Sequence, residues 1–136
     1  MRGERGSSAV ELVLITPALV VVLLFVVAVG RLAQAKGDVE AAARDAARAA
    51  SVARGPDSAR VDGEAAAQRR LDEGGVTCRT LDVAVPTDAF RPGGVVSATV
   101  TCVVDLGELT MLRVPGTRTV AATFAEPVDT YRAVAP

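Results

Sequence analysis

The polarity pattern changes character twice along the chain. Residues 12–29 read LVLITPALVVVLLFVVAV, eighteen positions without a charge, flanked by Glu11 and Arg31. A charge-free run of this length predicts a membrane-crossing helix. Taken from Ser7 to Gly30, such a helix measures about 36 Å at ~1.5 Å per residue, enough to cross a bilayer with some tilt. Pro17 removes one backbone donor about two turns in and predicts a kink. The other reading is a buried core helix, but the remaining 106 residues are few to wrap so long and uniform a rod. Beyond Arg31 the helical pattern continues through Arg54 without proline, and Gly37 weakens it only locally. Ala42, Ala46 and Ala50 fall at i+4 spacing, with Ala43, Ala47 and Ser51 beside them. Glu40 precedes Arg44 by four residues, the favourable order for a helical ion pair. The small-residue stripe serves either of two purposes: packing against the protein's own sheet, or a close seam with another subunit.

Gly55-Pro56 ends that helix, and Asp57 or Ser58 is placed to cap a second one over about 58–73, stopped by Gly74-Gly75. Its expected apolar side is thin: Val61, Ala65 and Leu71. From Val76 the period becomes two. Residues 76–85 place Leu81, Val83 and Val85 on one face; residues 95–104 place Val96, Ala98, Val100, Cys102 and Val104; residues 117–126 place Val120, Ala122 and Phe124. Proline and glycine at 86, 92–94 and 115–116 mark the turns. Leu109, Met111 and Leu112 are expected to tuck a loop or short helical turn under the core. The predicted class is therefore α+β: a long N-terminal transmembrane helix continuing into an exported domain with a second helix and a small three-stranded antiparallel sheet. In segments, residues 1–6 form a basic leader, 7–30 the transmembrane helix, 31–54 its extension, and 55–136 a small extracytoplasmic domain.

Composition narrows the chemistry. In 136 residues there is no His and no Trp, two Cys, and a formal charge of −1. Without histidine there is no imidazole base, no His-ligated metal and no Ser-His or Cys-His dyad. Two cysteines cannot complete a Cys₄ zinc site or hold an iron–sulfur cluster. With 3% aromatics and a near-neutral charge, a nucleic-acid partner is not expected, since such a binder shows a basic face with stacking rings. No phosphate loop or nucleophile–base pair is present, and Ser7 and Ser8 have no base to activate them. The sequence thus points to no catalytic residue, no metal, no cofactor and no small-molecule substrate.

The N-terminal run has three possible fates. It is a secretory signal peptide, with Ala33-Gln34-Ala35 as the cleavage site and Arg2 and Arg5 as the basic region; or a plain signal anchor; or a processed anchor whose preceding residues matter. The third is where the sequence resembles a known family. Arg5-Gly6, then Ala9-Val10-Glu11, Pro17, Gly30-Arg31 and the Ala-Arg repeat of AAARDAARAA at 41–50 are together similar to TadE-like proteins. These are pilin-like proteins of tight-adherence (Flp-type) pilus and secretion systems, and the resemblance covers about residues 5–50. Members processed by prepilin peptidase often carry an aromatic after the glutamate, where this chain has Leu12.

The resemblance implies a processing site between Gly6 and Ser7, prepilin peptidase as a partner, and other pilin-like or secretion-system subunits as assembly partners beside membrane lipid. It also implies a register role for Glu11, pairing with the new α-ammonium of Ser7. Physical chemistry supports a paired role, because an aspartate at mid-helix costs roughly 2.5–3.5 kcal/mol to insert, less near the interface. Glu11 can otherwise snorkel to headgroups. The function expected is a pilin-like, membrane-anchored structural or assembly component; the alternative is a generic single-pass binding module of the cell envelope.

Cys78 and Cys102 lie in neighbouring predicted strands. An even cysteine count in an exported domain favours a disulfide, with a redox pair as the rival reading. Pairing Val85 with Val95 puts the cysteines opposite each other but sets Leu81 and Val83 against Thr99 and Ser97. Shifting by one aligns Leu81 with Val100 and misplaces the cysteines, so a β-bulge between Cys78 and Leu81 is expected to reconcile them. A disulfide places the C-terminal domain outside the cytoplasm, with the N-terminus inside.

Overall fold

A computed structural model describes residues 4–110 and 112–131, with side chains from residue 8 onward. The elements in order are α1 (Glu4–Ser51), α2 (Pro56–Glu73), β1 (Thr80–Ala84), β2 (Val95–Asp105), α3 (Leu106–Thr110) and β3 (Thr117–Pro127). The strands form one antiparallel sheet in the order β1-β2-β3. The α+β class, the long apolar helix, the second helix and the three strands all match the sequence reading. Met111 lies outside the described residues.

The first helix is 48 residues long and unbroken through Pro17, which gives about 72 Å at ~1.5 Å per residue. Its two halves live in different surroundings. Every described residue from Ser8 to Val27 is exposed. From Ala35 onward one side is buried, and Val39, Ala42, Ala43, Ala46, Ala47 and Ala50 have no exposed surface. This half packs against α2 and against β2 and β3. The core it completes takes Ala59, Ala67 and Leu71 from α2 and Val96, Ala98, Val100, Cys102 and Val104 from β2. Methyl and isopropyl groups suffice because the backbones come close.

Helix α2 differs from expectation at both its start and its buried face. Gly55 is the N-cap and Pro56 the first helical residue, a position where proline's missing N–H is no loss. Ser58 is not the cap; its hydroxyl accepts from Gly55 N and donates to Gly55 O, both at 3.0 Å. The buried residues are Ala59, Gly63, Ala66, Ala67 and Leu71, whereas Val61 is 65% exposed and Ala65 is exposed. Small residues occupy the contact because a Cβ built on Gly63 would lie 3.4 Å from Ala46 O, 3.8 Å from Ala50 Cβ and 3.0 Å from Val85 Cγ2. A large side chain at Gly63 must push α2 off α1. Gly63→Leu is therefore expected to lose about 1–3 kcal/mol, the usual range for overpacking, read as a lowered Tm of the full chain in detergent; an unchanged Tm would show that the two helices can slide apart freely.

The C-terminus of α2 turns through Gly75 at φ +69. Val76 N donates to Leu71 O and Gly75 N to Asp72 O, the two bonds of a Schellman motif, which needs a left-handed residue at that position. The chain then runs from Val76 to Arg79 before joining the sheet, so β1 begins at Thr80 rather than Val76.

Neither predicted register of β1 on β2 is observed. Leu81 faces Cys102 and Val83 faces Val100, so Leu81, and not Cys78, is the cross-strand partner of Cys102. Inward faces still match inward faces, and no bulge is needed because Cys78 lies before the ladder. The Glu40–Arg44 pair is also not among the ion pairs of the described residues; Arg44 instead lies over the Phe124 ring, 4.7 Å from its centroid. On the outer sheet face Thr99 and Thr123, paired across β2 and β3, share a 2.9 Å hydroxyl hydrogen bond.

Candidate functional site

The candidate functional region is the N-terminal half of α1 and the end of the domain beside it. Gly6 and Ser7 fall within the helical backbone of α1, and their surroundings lie outside the described side chains. Glu11 is exposed on the helix surface one turn beyond Ser7, and among the described residues no ion pair involves it. Thr16, the one hydroxyl in the apolar run, donates to Leu12 O at 2.7 Å, so its polarity is satisfied within the helix. Leu12, Val13, Leu14, Leu19, Val21, Leu23 and Phe25 are each more than 60% exposed. Among the described residues, no part of the domain buries this surface.

Ala42, Ala46 and Ala50 sit within the chain's own core, each with no exposed surface. A stripe already covered by α2 and the sheet presents nothing to a second chain. Cys78 and Cys102 form a disulfide with Cα atoms 5.3 Å apart, and there is no free cysteine. The bridge ties the segment leaving α2 to the buried face of β2.

One feature was not singled out from the sequence. The connection from β2 to β3 descends alongside the apolar half of α1. Leu106, Thr110, Leu112 and Val114 form one wall of an almost wholly apolar groove, and Val21, Leu24, Phe25, Ala28, Val29 and Leu32 form the other. Just above, Lys36 of α1 and Arg118 of β3 flank an adjoining groove that also includes Val29 and Leu32. The only signal in the sequence was the apolar spacing of Leu106, Leu109 and Leu112, which equally suits a loop tucked under the core. Leu109 does pack on the core; Leu112 turns to the helix instead.

The fold and this region define a small α+β domain carried on a single helix long and apolar enough to cross a membrane. The sequence model of the TadE-like protein family matches residues 6–48. That match covers the exposed apolar helix and most of the Ala-rich half, the same stretch on which the resemblance rests. No curated protein and no solved structure matches the chain.

Proposed function

We propose that the chain is a pilin-like, membrane-anchored structural or assembly component of a tight-adherence pilus or secretion system. The observation that carries this is the division of α1: one continuous helix is bare and apolar from Leu12 to Val27 and buries one side in the domain core from Ala35 to Ala50. A bare apolar surface of this extent is stable only in lipid or against neighbouring apolar helices. A pilin-like subunit meets both in turn, first stored in the bilayer and then packed beside other subunits. Prepilin peptidase cuts between Gly6 and Ser7, other pilin-like or secretion-system subunits supply the neighbouring helices, and Glu11 sets their register.

The disulfide supports an orientation with the N-terminus in the cytoplasm and the domain outside, since such bridges persist in oxidising compartments. The chain acts by packing, with no catalytic step. Mass spectrometry of the mature N-terminus from the native membrane tests the reading. A start at Ser7 is the expected result. A start at Met1 or Arg2 would leave an anchor without pilin-type processing, and a start at Lys36 would show a secreted domain and end the membrane reading.

A further inference from the structure

We propose that the described residues of the β2–β3 connection, Leu106–Thr110 and Leu112–Gly116, are a second membrane contact: they seat in the headgroup and upper acyl region of the outer leaflet beside α1. The inference rests on the membrane-anchor reading above and adds a site in the domain itself. Its apolar groove shares a wall with the bare helix from Val21 to Leu32, so the surface of the loop is continuous with the surface that faces lipid. Those residues span about 16 Å of helix at ~1.5 Å per residue, and the domain cannot rise clear of the bilayer while Val21–Val26 stays in it.

The loop is built for such a place. Irregular backbone is excluded from the hydrocarbon centre unless its polar groups are satisfied. Here Leu106 N donates to Gly116 O at 3.1 Å and Val114 N to Leu112 O at 2.7 Å. The Thr110 hydroxyl donates to Leu106 O at 2.6 Å and accepts from Leu112 N at 3.3 Å. Exposed Arg113 and Arg118 on the domain join exposed Arg31 and Lys36 on the helix, four cations against the one exposed carboxylate of the loop, Glu108, a net-cationic rim suited to phosphate headgroups beside the apolar groove. Elements that lie in the interface pair an apolar surface with cations in this way and sit about 5–10 Å into the headgroup and acyl boundary.

Seating the loop there fixes how far α1 is inserted. A hydrocarbon core of ~30 Å takes about twenty helical residues, and Ser7–Val26 supplies them. Arg31 then stands above the hydrocarbon edge, and the groove covers Ala28, Val29 and Leu32 where they emerge. Glu11 falls about 6 Å inside the inner edge at ~1.5 Å per residue.

The test uses the full chain in phosphatidylethanolamine–phosphatidylglycerol vesicles, with a nitroxide attached at Phe25→Cys, Leu112→Cys or Val61→Cys. Accessibility to oxygen and to a water-soluble nickel complex is read for each. The expected result is a severalfold higher oxygen-to-nickel ratio at both Phe25 and Leu112 than at Val61. A lipid signature at Phe25 with an aqueous one at Leu112 overturns the proposal and leaves the anchor standing. An aqueous signature at Phe25 ends the anchor reading itself. A Leu112 label shielded from both reagents also overturns it, because the position then packs against protein and not lipid. A label at Val114→Cys, which is 43% exposed and so least disturbs packing, repeats the measurement if the Leu112 variant does not fold.

Discussion

Glu11→Ala is expected to abolish incorporation of the chain into the assembled structure while leaving it fully membrane-inserted. Removing a carboxylate from an apolar helix only makes insertion easier, by up to roughly 2.5–3.5 kcal/mol at mid-helix. What is lost is a directional partner. Glu11 lies four residues beyond Ser7, and residues at that spacing are neighbours on a helix, with Cβ atoms about 5–6 Å apart. On the proposed processing, a new α-ammonium on Ser7, on this chain or the next, would meet the carboxylate with an attraction of about 4 kcal/mol at ~4 Å and an effective dielectric of ~20. That is enough to offset the insertion cost and to favour one axial register between helices over others. Membrane fractionation and pilus or complex isolation check the two halves of the expectation. Glu11→Gln separates charge from shape and is expected to behave like Glu11→Ala. Wild-type incorporation of either variant would remove the register role from Glu11.

Converting both Cys78 and Cys102 to alanine should lower domain stability by roughly 3 kcal/mol, the chain-entropy value for a closed loop of this length; the cysteines are 24 residues apart. Small domains have only about 5–15 kcal/mol in total, so the effect is large. It corresponds to a fall in Tm on the order of 10–20 °C for a domain of about 100 residues. Alanine is the right replacement, because Cys102 is fully buried and a serine there would add an unsatisfied hydroxyl. Thermal unfolding of the purified full chain, with and without a thiol reductant, checks this. Reduction of the wild type should reproduce the variant's Tm, and a reduced protein that melts like the oxidised one would show that the core holds the domain without the bridge.

The division of the chain into helix, helix and sheet was legible because each segment has one dominant period. The inward residues of β2 and β3 followed from simple alternation: Val96 to Val104 on one strand, Val120 to Phe124 on the other. The β1 register was not legible, because two cysteines in neighbouring strands suggest that they face each other. In the structure the glycine cap of α2 and the short run to Arg79 place Cys78 before the ladder, and a disulfide can reach Cys102 from there. The buried face of α2 was misplaced for a related reason. Val61 looks like the best core residue by hydrophobicity, but the closeness of α1 leaves room only for Ala59, Gly63 and Ala67. At the candidate site, the long bare helix and Glu11 were visible as a charge-free run with one carboxylate at its edge. The groove beside Val21–Leu32 was not, because Leu106 and Leu112 are about eighty residues away in sequence and only the sheet brings them to the helix.

The same 48-residue helix is at one end a bare apolar surface long enough to cross a membrane and at the other the middle of the core. No joint separates the two, so the rotational phase of the domain about the helix axis is locked to that of Glu11. A neighbour that turns Glu11 toward itself also turns α2 and the sheet. Tension on the domain, likewise, loads the anchor along its axis through one helix whose backbone hydrogen-bond ladder lacks only the Pro17 donor, as a strut carries load, and no slack linker absorbs the pull.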